Sequence, residues 1–461
     1  MSPHKFPPGL PPIKGIIAQL RFMSELSRDF MGFLVEKNRQ YGDVFQFQVG
    51  DFRQYVITDP DLIHEVLVAQ SAKFQKDMQY TDTRRGLARF LGNGLLTSNG
   101  EFWKRQRRLV APSLHARRIE SYAETMVDYA LDTVNGWQDN TRLDISQEMN
   151  RLTMRIVGKT LFNADVAGDV RDVASAMGTI QHYFAESRSK LLPTWIPTPF
   201  ERRARQASGT LNEISYRLIE AWRQTREDRG DLLSMLLMAE DEDGNHMTDE
   251  QARDELVTLF LAGHETTANA LNWTWYLLAQ NPEAEAKLHA ELDSVLGGKP
   301  PTLDDLKRLP YTEMVVKEAL RLYPPAFGFG RVATEDLEIG GYFVPKDTVV
   351  AITSYIVHHS PKWWDEPEAF RPERFTPENE AKQHRYAYVP FGGGPRVCIG
   401  NSFAMMEAQL LLATIASRYQ FRLQPGQMVE MLPLITLNPK DGLPMTAQQR
   451  QPVMTLEPIL A

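Results

Sequence analysis

Near the N-terminus the apolar positions alternate: Phe45, Phe47 and Val49 are separated by Gln46 and Gln48, the two-residue period of a half-exposed strand. Gly50-Asp51 can turn the chain, and residues 53–58 return as the second strand of a hairpin. Residues 21–40, just before it, read as an amphipathic helix. Asp59-Pro60, just after it, is an N-cap with proline at the first helical position. Most of residues 60–320 then keeps a helical period, with loops at glycine and proline clusters. One break is unusually apolar: Pro193, Pro197 and Pro199 stand among Leu191, Leu192, Trp195, Ile196 and Phe200, as in a turn packed on the core. The longest helical run opens at Thr248, with Gln251 placed to complete a capping box, and stops before Asn281-Pro282. Its ~32 residues would span ~48 Å, the diameter of the whole molecule. Beyond about residue 332 the pattern changes to strands: a hairpin, Leu337–Ile339 and Tyr342–Val344, around Gly340-Gly341, then a β-branched run at 348–352. The fold class expected is mainly α with small β-sheets near both ends of the sequence.

Composition narrows this picture. With 461 residues, 43% hydrophobic and 24% charged, the chain can fill a sizeable core, and no Ser/Gly-rich or Pro-rich linker divides it. Residues 1–461 are therefore expected to form a single domain. The acidic run at 239–245 reads as a solvated loop between helices. A net charge of −8 argues against a nucleic-acid partner. The single cysteine excludes an intramolecular disulfide, and the proline-rich start has no apolar segment of signal or membrane-spanning length. A cytoplasmic protein with no membrane anchor is expected.

That cysteine lies in Phe391-Gly392-Gly393-Gly394-Pro395-Arg396-Val397-Cys398-Ile399-Gly400. Three glycines and a proline make a backbone-rich loop, and a helix-favouring run follows at once from Ser402. Cys398 thus sits just before a helix N-terminus, where partial positive charge favours a thiolate. Arg396 supplies a cation suited to a carboxylate. A lone cysteine in a turn is ordinarily a small buried hydrophobe, but the ten-residue arrangement Phe-x-x-Gly-x-Arg-x-Cys-x-Gly is complete here and resembles the haem-ligating loop of the cytochrome P450 family. The resemblance implies the cytochrome P450 fold, with a long central helix over the haem. It implies haem b (iron protoporphyrin IX) bound through Cys398, with Phe391 among the haem-contacting residues, and a soluble bacterial-type member.

Further segments match the same family. Ala262-Gly263-His264-Glu265-Thr266-Thr267 is small and polar in the middle of the apolar long helix, a recipe for a local kink and a water-sized groove. It resembles the oxygen-activation motif, which gives Thr266 the hydrogen bond to dioxygen and Glu265 the supply of protons; His264 is expected to pack or hydrogen-bond. Glu318 and Arg321 lie three apart on one helix face, a weak signal alone. With Arg374 in Phe370-Arg371-Pro372-Glu373-Arg374-Phe375, the resemblance implies a buried network supporting the cysteine loop. Trp103 and Arg107 match the pattern that binds haem propionates, as do Arg331 and Arg396. The apolar proline segment would fall near the substrate-access lid. Family positions also give an apolar pocket of Ala262, Ala326, Phe327, Phe329, Leu434 and Ile435, fit for a fatty acid or a terpenoid, though such residues equally make ordinary core.

The implied reaction inserts one oxygen atom of O2 into a C–H bond of a lipophilic small molecule. No G-x-G-x-x-G fingerprint follows a strand, so electrons would come from a separate ferredoxin or flavodoxin-type donor with its NAD(P)H reductase, unless a fused reductase has been removed. A peroxide-using peroxygenase and a non-catalytic haem sensor are the competing readings; the intact Glu265-Thr266 pair ranks the first of these lower. Lys104, Arg105, Arg108, Arg117 and Arg118, with Lys382, His384 and Arg385, predict a basic patch on the cysteine side for an acidic donor.

Overall fold

The computed structural model describes residues 4–162, 167–185, 194–196 and 198–450. The helix expected over 21–40 is in fact two, α1 (Ile16–Arg28) and α2 (Phe30–Tyr41). Asp29 separates them: its backbone leaves the helical region (φ −151°), and its side chain accepts from Gly32 N at 2.8 Å, capping α2. Phe22 of α1 and Phe33 of α2 meet Phe47 of strand β1 (Val44–Val49), which buries one face of each element.

β1 pairs antiparallel with β2 (Phe52–Ile57), Val44 opposite Ile57. Three further strands complete a five-stranded sheet: β3 (Phe74–Gln75), β4 (Phe329–Ala333) and β5 (Val349–Ile352), in the order β1-β2-β5-β4-β3. β2 and β5 run parallel, with Gln54 opposite Val349, so the sheet ties the start of the chain to residues 329–352. Leu337–Ile339 and Tyr342–Val344 form the expected hairpin.

The helices that build the site are α3 (Gly100–Val110), α4 (Ile145–Phe162), α5 (Pro199–Thr225), α6 (Asp249–Gln280), α7 (Pro310–Leu322) and α8 (Asn401–Ala416). Pro199 is not in a loop: it is the first residue of α5, with Thr198 as N-cap accepting from Glu201 N. Pro193, Pro197, Leu191 and Leu192 lie outside the described residues. α6 has the predicted capping box and runs 32 residues as one α-helix, buried through most of its length. It packs on α4 closely enough that a Cβ at Gly263 would come within 3.1 Å of Val157. Trp273 stacks on Tyr323 with ring centroids 4.2 Å apart and donates Nε1–H to Leu437 O at 2.9 Å. The acidic run is not simply solvated. Asp241 pairs with Arg105 at 2.6 Å, and Glu242 pairs with Arg108, which brings the loop back onto α3. Among the described residues no helix is long and apolar enough to cross a membrane.

Candidate active site

The loop before α8 and the middle of α6 face each other across a cavity of about 860 Å³. Cys398 stands on one wall, its N–H donating to Phe391 O at 3.0 Å. Gly394 lets the loop take this path. Its φ is +64°, and a Cβ there would lie 1.9 Å from Leu67 O, so no other residue fits. The expectation that the following helix keeps Cys398 as a thiolate is not met by the chain alone. Burial pushes the thiol up, against the Gly400 N–H and Arg107, which act the other way. A bound iron would supply the missing positive charge.

One edge of the cavity gathers cations. Arg107 donates to Val397 O, Arg331 to Gly330 O, and Arg396 to Ser98 O and Asn99 Oδ1. Arg396 also lies over the Trp103 ring at 4.1 Å. Among the described residues none of these three guanidiniums has a carboxylate within ion-pair distance, yet all line the cavity. Burial lowers each of them, and Arg396 drops to about 10 with further repulsion from Arg331 and Arg107. Lys76, which the sequence reading missed, joins them. Its ammonium sits 4.1 Å from the Tyr80 ring centroid, and its pKa is held well below the usual lysine value by burial, then by Arg331 and Arg396. Four basic side chains along one cavity edge, on the same side as one thiol, fit a flat ligand with two carboxylates and a thiolate-binding centre: the donor set haem requires. Phe391 lines the same wall.

The opposite wall carries Ala262, Glu265 and Thr266. Thr266 Oγ1 donates to Ala262 O at 2.7 Å, the back-bond that a helical threonine forms when its hydroxyl has no other partner. Glu265 is 1% exposed. One carboxyl oxygen accepts from Thr436, while the other has no partner. Burial raises its pKa to about 7, only partly offset by the Thr436, Gln181 and Asn438 side chains. Thr436 and Asn438 come from a hairpin 171 and 173 residues further on, Met431–Pro433 with Leu437–Pro439, and Asn269 Nδ2 donates to both at 3.0 Å. The family positions of Leu434 and Ile435 brought that hairpin to the cavity, but no sequence signal singled out Thr436 or Asn438 as partners of α6. His264 faces away, its Nδ1 2.6 Å from Phe260 O, and burial lowers it to about 4, so it is a neutral packing residue.

The expected charge network is present. Arg321 donates Nε and Nη2 to Glu318 at 2.7 and 2.8 Å, and Arg374 Nε reaches the same carboxylate at 3.2 Å. Arg321 also donates to the carbonyls of His358, Pro367 and Ala369. His358 carries this frame to the cysteine loop: its Nδ1 lies 3.1 Å from Arg321 O, and its Nε2 accepts from Val389 N at 2.9 Å. Burial keeps His358 neutral, so one nitrogen can donate while the other accepts.

Two carboxylates of α6 hold the cavity roof. Asp254 accepts from Asn93 N at 2.7 Å and Glu255 from Leu95 N at 3.0 Å. Gly94 passes so close that a Cβ would meet Thr258 Oγ1 at 2.5 Å. Leu95 and Leu96 then face the cavity, as do Ala326, Phe327, Phe329, Leu434 and Ile435. On α8, Glu407 is fully buried with neither oxygen partnered, and burial raises it to about 8. A single acid within an apolar helix was the signal available for it.

The predicted basic patch is largely neutralised. Lys104 pairs with Glu101, Arg105 with Asp241, Arg108 with Glu242, Arg118 with Asp228 and His384 with Asp61. The side chain of Arg117 lies outside the described residues; Lys382 and Arg385 remain exposed.

Comparison with known proteins agrees with this arrangement. The family model described as Cytochrome P450 matches residues 7–444. Cyclooctatin synthase of Streptomyces melanosporofaciens is 39% identical over 86% of this chain and 87% of its own. Cyclooctat-9-en-7-ol 5-monooxygenase of the same organism is 36% identical over 84% of each chain. Pentalenene oxygenase of Streptomyces avermitilis is 34% identical over 95% of this chain and 96% of its own. In fold, the chain is similar to retinoic acid-bound cyanobacterial CYP120A1, with a TM-score of 0.84 and 24% identity over 97% of this chain and all of that one.

Proposed function

The chain belongs to the cytochrome P450 family, as a monooxygenase that binds haem b, and from that premise we propose that it hydroxylates a terpenoid-like lipophile. In this reading residues 1–461 act as one haem domain, and electrons arrive from a separate ferredoxin or flavodoxin-type donor with its reductase. The observation that carries the substrate class is the charge distribution of the cavity. Among the described residues its ionisable side chains are Lys76, Asp77, Arg107, Glu265, Arg331, Arg396 and Cys398, along with Tyr80. The four cations stand together at the edge that suits the haem propionates. Among the described residues none is left beside Phe22, Met23, Leu26, Phe30 and Phe52 at the far end to hold a fatty-acid carboxylate. An uncharged, bulky hydrocarbon or alcohol suits those walls better. Two relatives are named for oxidation of cyclooctat-9-en-7-ol and pentalenene, which points the same way.

When bound, haem supplies the reductive activation of dioxygen. In this proposal Cys398 ligates it, Trp103, Arg107, Arg331, Arg396 and Lys76 hold its carboxylates, and Glu318, Arg321 and Arg374 brace the loop. The apolar walls exclude water from the C–H bond. Thr266 can exchange its back-bond to Ala262 O for one directed into the cavity. Glu265, with a pKa of about 7, is poised both to release a proton and to regain it, and its unpartnered oxygen is the free face for that transfer.

The test is a panel of terpenoid hydrocarbons and alcohols set against fatty acids of similar size. The visible-spectrum shift on displacement of iron-bound water is read first, then product formed with NADPH, ferredoxin and reductase. Terpenoids should shift the spectrum and be hydroxylated; a response confined to fatty acids refutes the substrate class.

A further inference from the structure

Thr436 has one hydroxyl proton and two lone pairs, and its surroundings decide where each is used. Asn438 Nδ2 lies 2.9 Å from the main-chain Thr436 O and 3.0 Å from Thr436 Oγ1. A carbonyl oxygen only accepts, so the amide of Asn438 must turn its N–H groups toward Thr436. Its Oδ1 then faces Asn269, which answers with Nδ2 at 3.0 Å. The same Nδ2 donates to Thr436 Oγ1, also at 3.0 Å, while Asn269 Oδ1 is held by Asn272 Nδ2 at 3.3 Å. Asn269, Asn272 and Thr436 are all buried, so none can turn to water instead. Both lone pairs of the Thr436 hydroxyl are thus filled by amide donors. Its proton has one acceptor left, Glu265 Oε1.

That arrangement acts on the acid. An Oε1–H on Glu265 would be a third donor to a hydroxyl that can accept only two. The carboxyl proton therefore belongs on Oε2, the oxygen with no partner. Among the described residues no charged side chain acts on this group. The side chains that oppose its burial are Thr436, Gln181 of the helix Ala167–Ala185 and Asn438, all neutral. Two titratable neighbours, His264 on α6 and Glu407 of α8 beside Thr267, are kept uncharged by burial.

We propose that Asn269, Asn438 and Thr436 form a one-way hydrogen-bond chain that reserves Oε2 of Glu265 for its proton, which makes Thr436 a positioning residue for the transfer. On release the O–H electron pair stays on the carboxyl group and the proton passes to an oxygen base in the cavity. The Thr436 hydroxyl steadies the charge left behind, and a proton from water restores the acid. The inference rests on the reading of Glu265 as proton carrier given above, and it stands whichever lipophile is the substrate.

The experiment is infrared difference spectroscopy of the haem-loaded protein, without substrate, over a series of pH values. The carboxylic-acid C=O band that Glu265→Gln removes belongs to this residue, and it should titrate away near pH 7. With the proton on Oε2, the carbonyl is Oε1 and accepts from Thr436, which lowers its stretching frequency. Thr436→Val should therefore raise that frequency. It should also move the midpoint up by about one pH unit or more, because the donor to the charged form is gone. Thr436→Ser should keep both at the parent values. The valine variant retains its frame: Asn269 Nδ2 keeps Asn438 Oδ1, Asn438 Nδ2 keeps the main-chain oxygen, and Trp273 Nε1–H still holds Leu437 O. An unchanged frequency or an unchanged midpoint in Thr436→Val overturns the proposal. So does a parent band at the frequency of a free carbonyl, a result that needs no variant. Because no substrate is present, failure of the terpenoid panel leaves these outcomes standing, and their failure leaves the panel's result standing.

Discussion

Replacing Glu318 by Gln removes the one anion to which two buried arginines are bound. Glu318 accepts from Arg321 Nε and Nη2, from Arg374 Nε and from Arg371 N. The side chains of Glu318 and Arg321 have no exposure and that of Arg374 only 8%, so neither cation can turn to water when its partner is neutralised. Charge-assisted hydrogen bonds are each worth about 1.5–3 kcal/mol, and stranding a buried charge costs about 3–5 kcal/mol. Gln keeps one acceptor oxygen but turns an N–H toward a guanidinium. The expected loss is therefore about 3–5 kcal/mol of unfolding free energy, read from guanidinium titrations followed by tryptophan fluorescence. Because His358 and Val389 link this frame to the cysteine loop, the purified variant should also hold less haem. The double variant Glu318→Leu with Arg321→Met removes both partners of the closest pair and should be destabilised by less than the sum of the single changes, with a coupling of about 2 kcal/mol or more. A stability within about 1 kcal/mol of the parent together with full haem content would refute the reasoning. Strict additivity in the cycle would do so as well.

Cys398→Ser should abolish the thiolate-specific absorbance of the reduced carbon monoxide complex; its retention would place the ligand elsewhere. Thr266→Ala should preserve haem content and the substrate-induced spectral shift while lowering product per NADPH and raising hydrogen peroxide, and loss of such a donor typically costs about 10²–10³ in rate. Burial raises Glu255 and Glu407 to about 8 and Glu265 to about 7, from 4.5, so the native state holds protons that the unfolded chain has already released. Their contribution to stability should be fullest at the acid end of that window, fall as pH rises toward about 8, and level off above it. Glu407→Gln should flatten this slope, which denaturant midpoints at a series of pH values would reveal.

The site was legible wherever its chemistry lay in contiguous residues. The cysteine loop, the small polar segment of α6 and the Trp103–Arg107 spacing could all be read because neighbours in sequence are neighbours in space. The long helix announced itself through its cap and its period. What could not be read was assembled across the chain. Thr436 meets Glu265 only because Asn269 and Trp273 bind the hairpin that carries it. His358 bridges Arg321 and Val389 without any local motif. Lys76 enters the cationic edge just after the two-residue strand β3, outside any motif. The basic patch failed for the same reason, since the carboxylates that neutralise Arg105 and Arg108 come from a loop more than 130 residues away. At Asp29 the pattern itself misled: an apolar period continued across a residue whose side chain starts a new helix.

The roof of the cavity is fastened by main-chain N–H groups, those of Asn93 and Leu95, to carboxylates carried on α6. No side chain of the roof takes part in either fastening. The shape of the chamber and the integrity of its frame are thus under separate control. Leu95 and Leu96 can be exchanged for larger or smaller residues while the same two anchors persist, but Gly92, at φ +68° and pressed on Asp254, and Gly94, pressed on Thr258, must stay as they are. A lineage can then reshape the chamber by drift at these positions, with Glu265 and Thr266 of the same helix undisturbed about eleven residues further along.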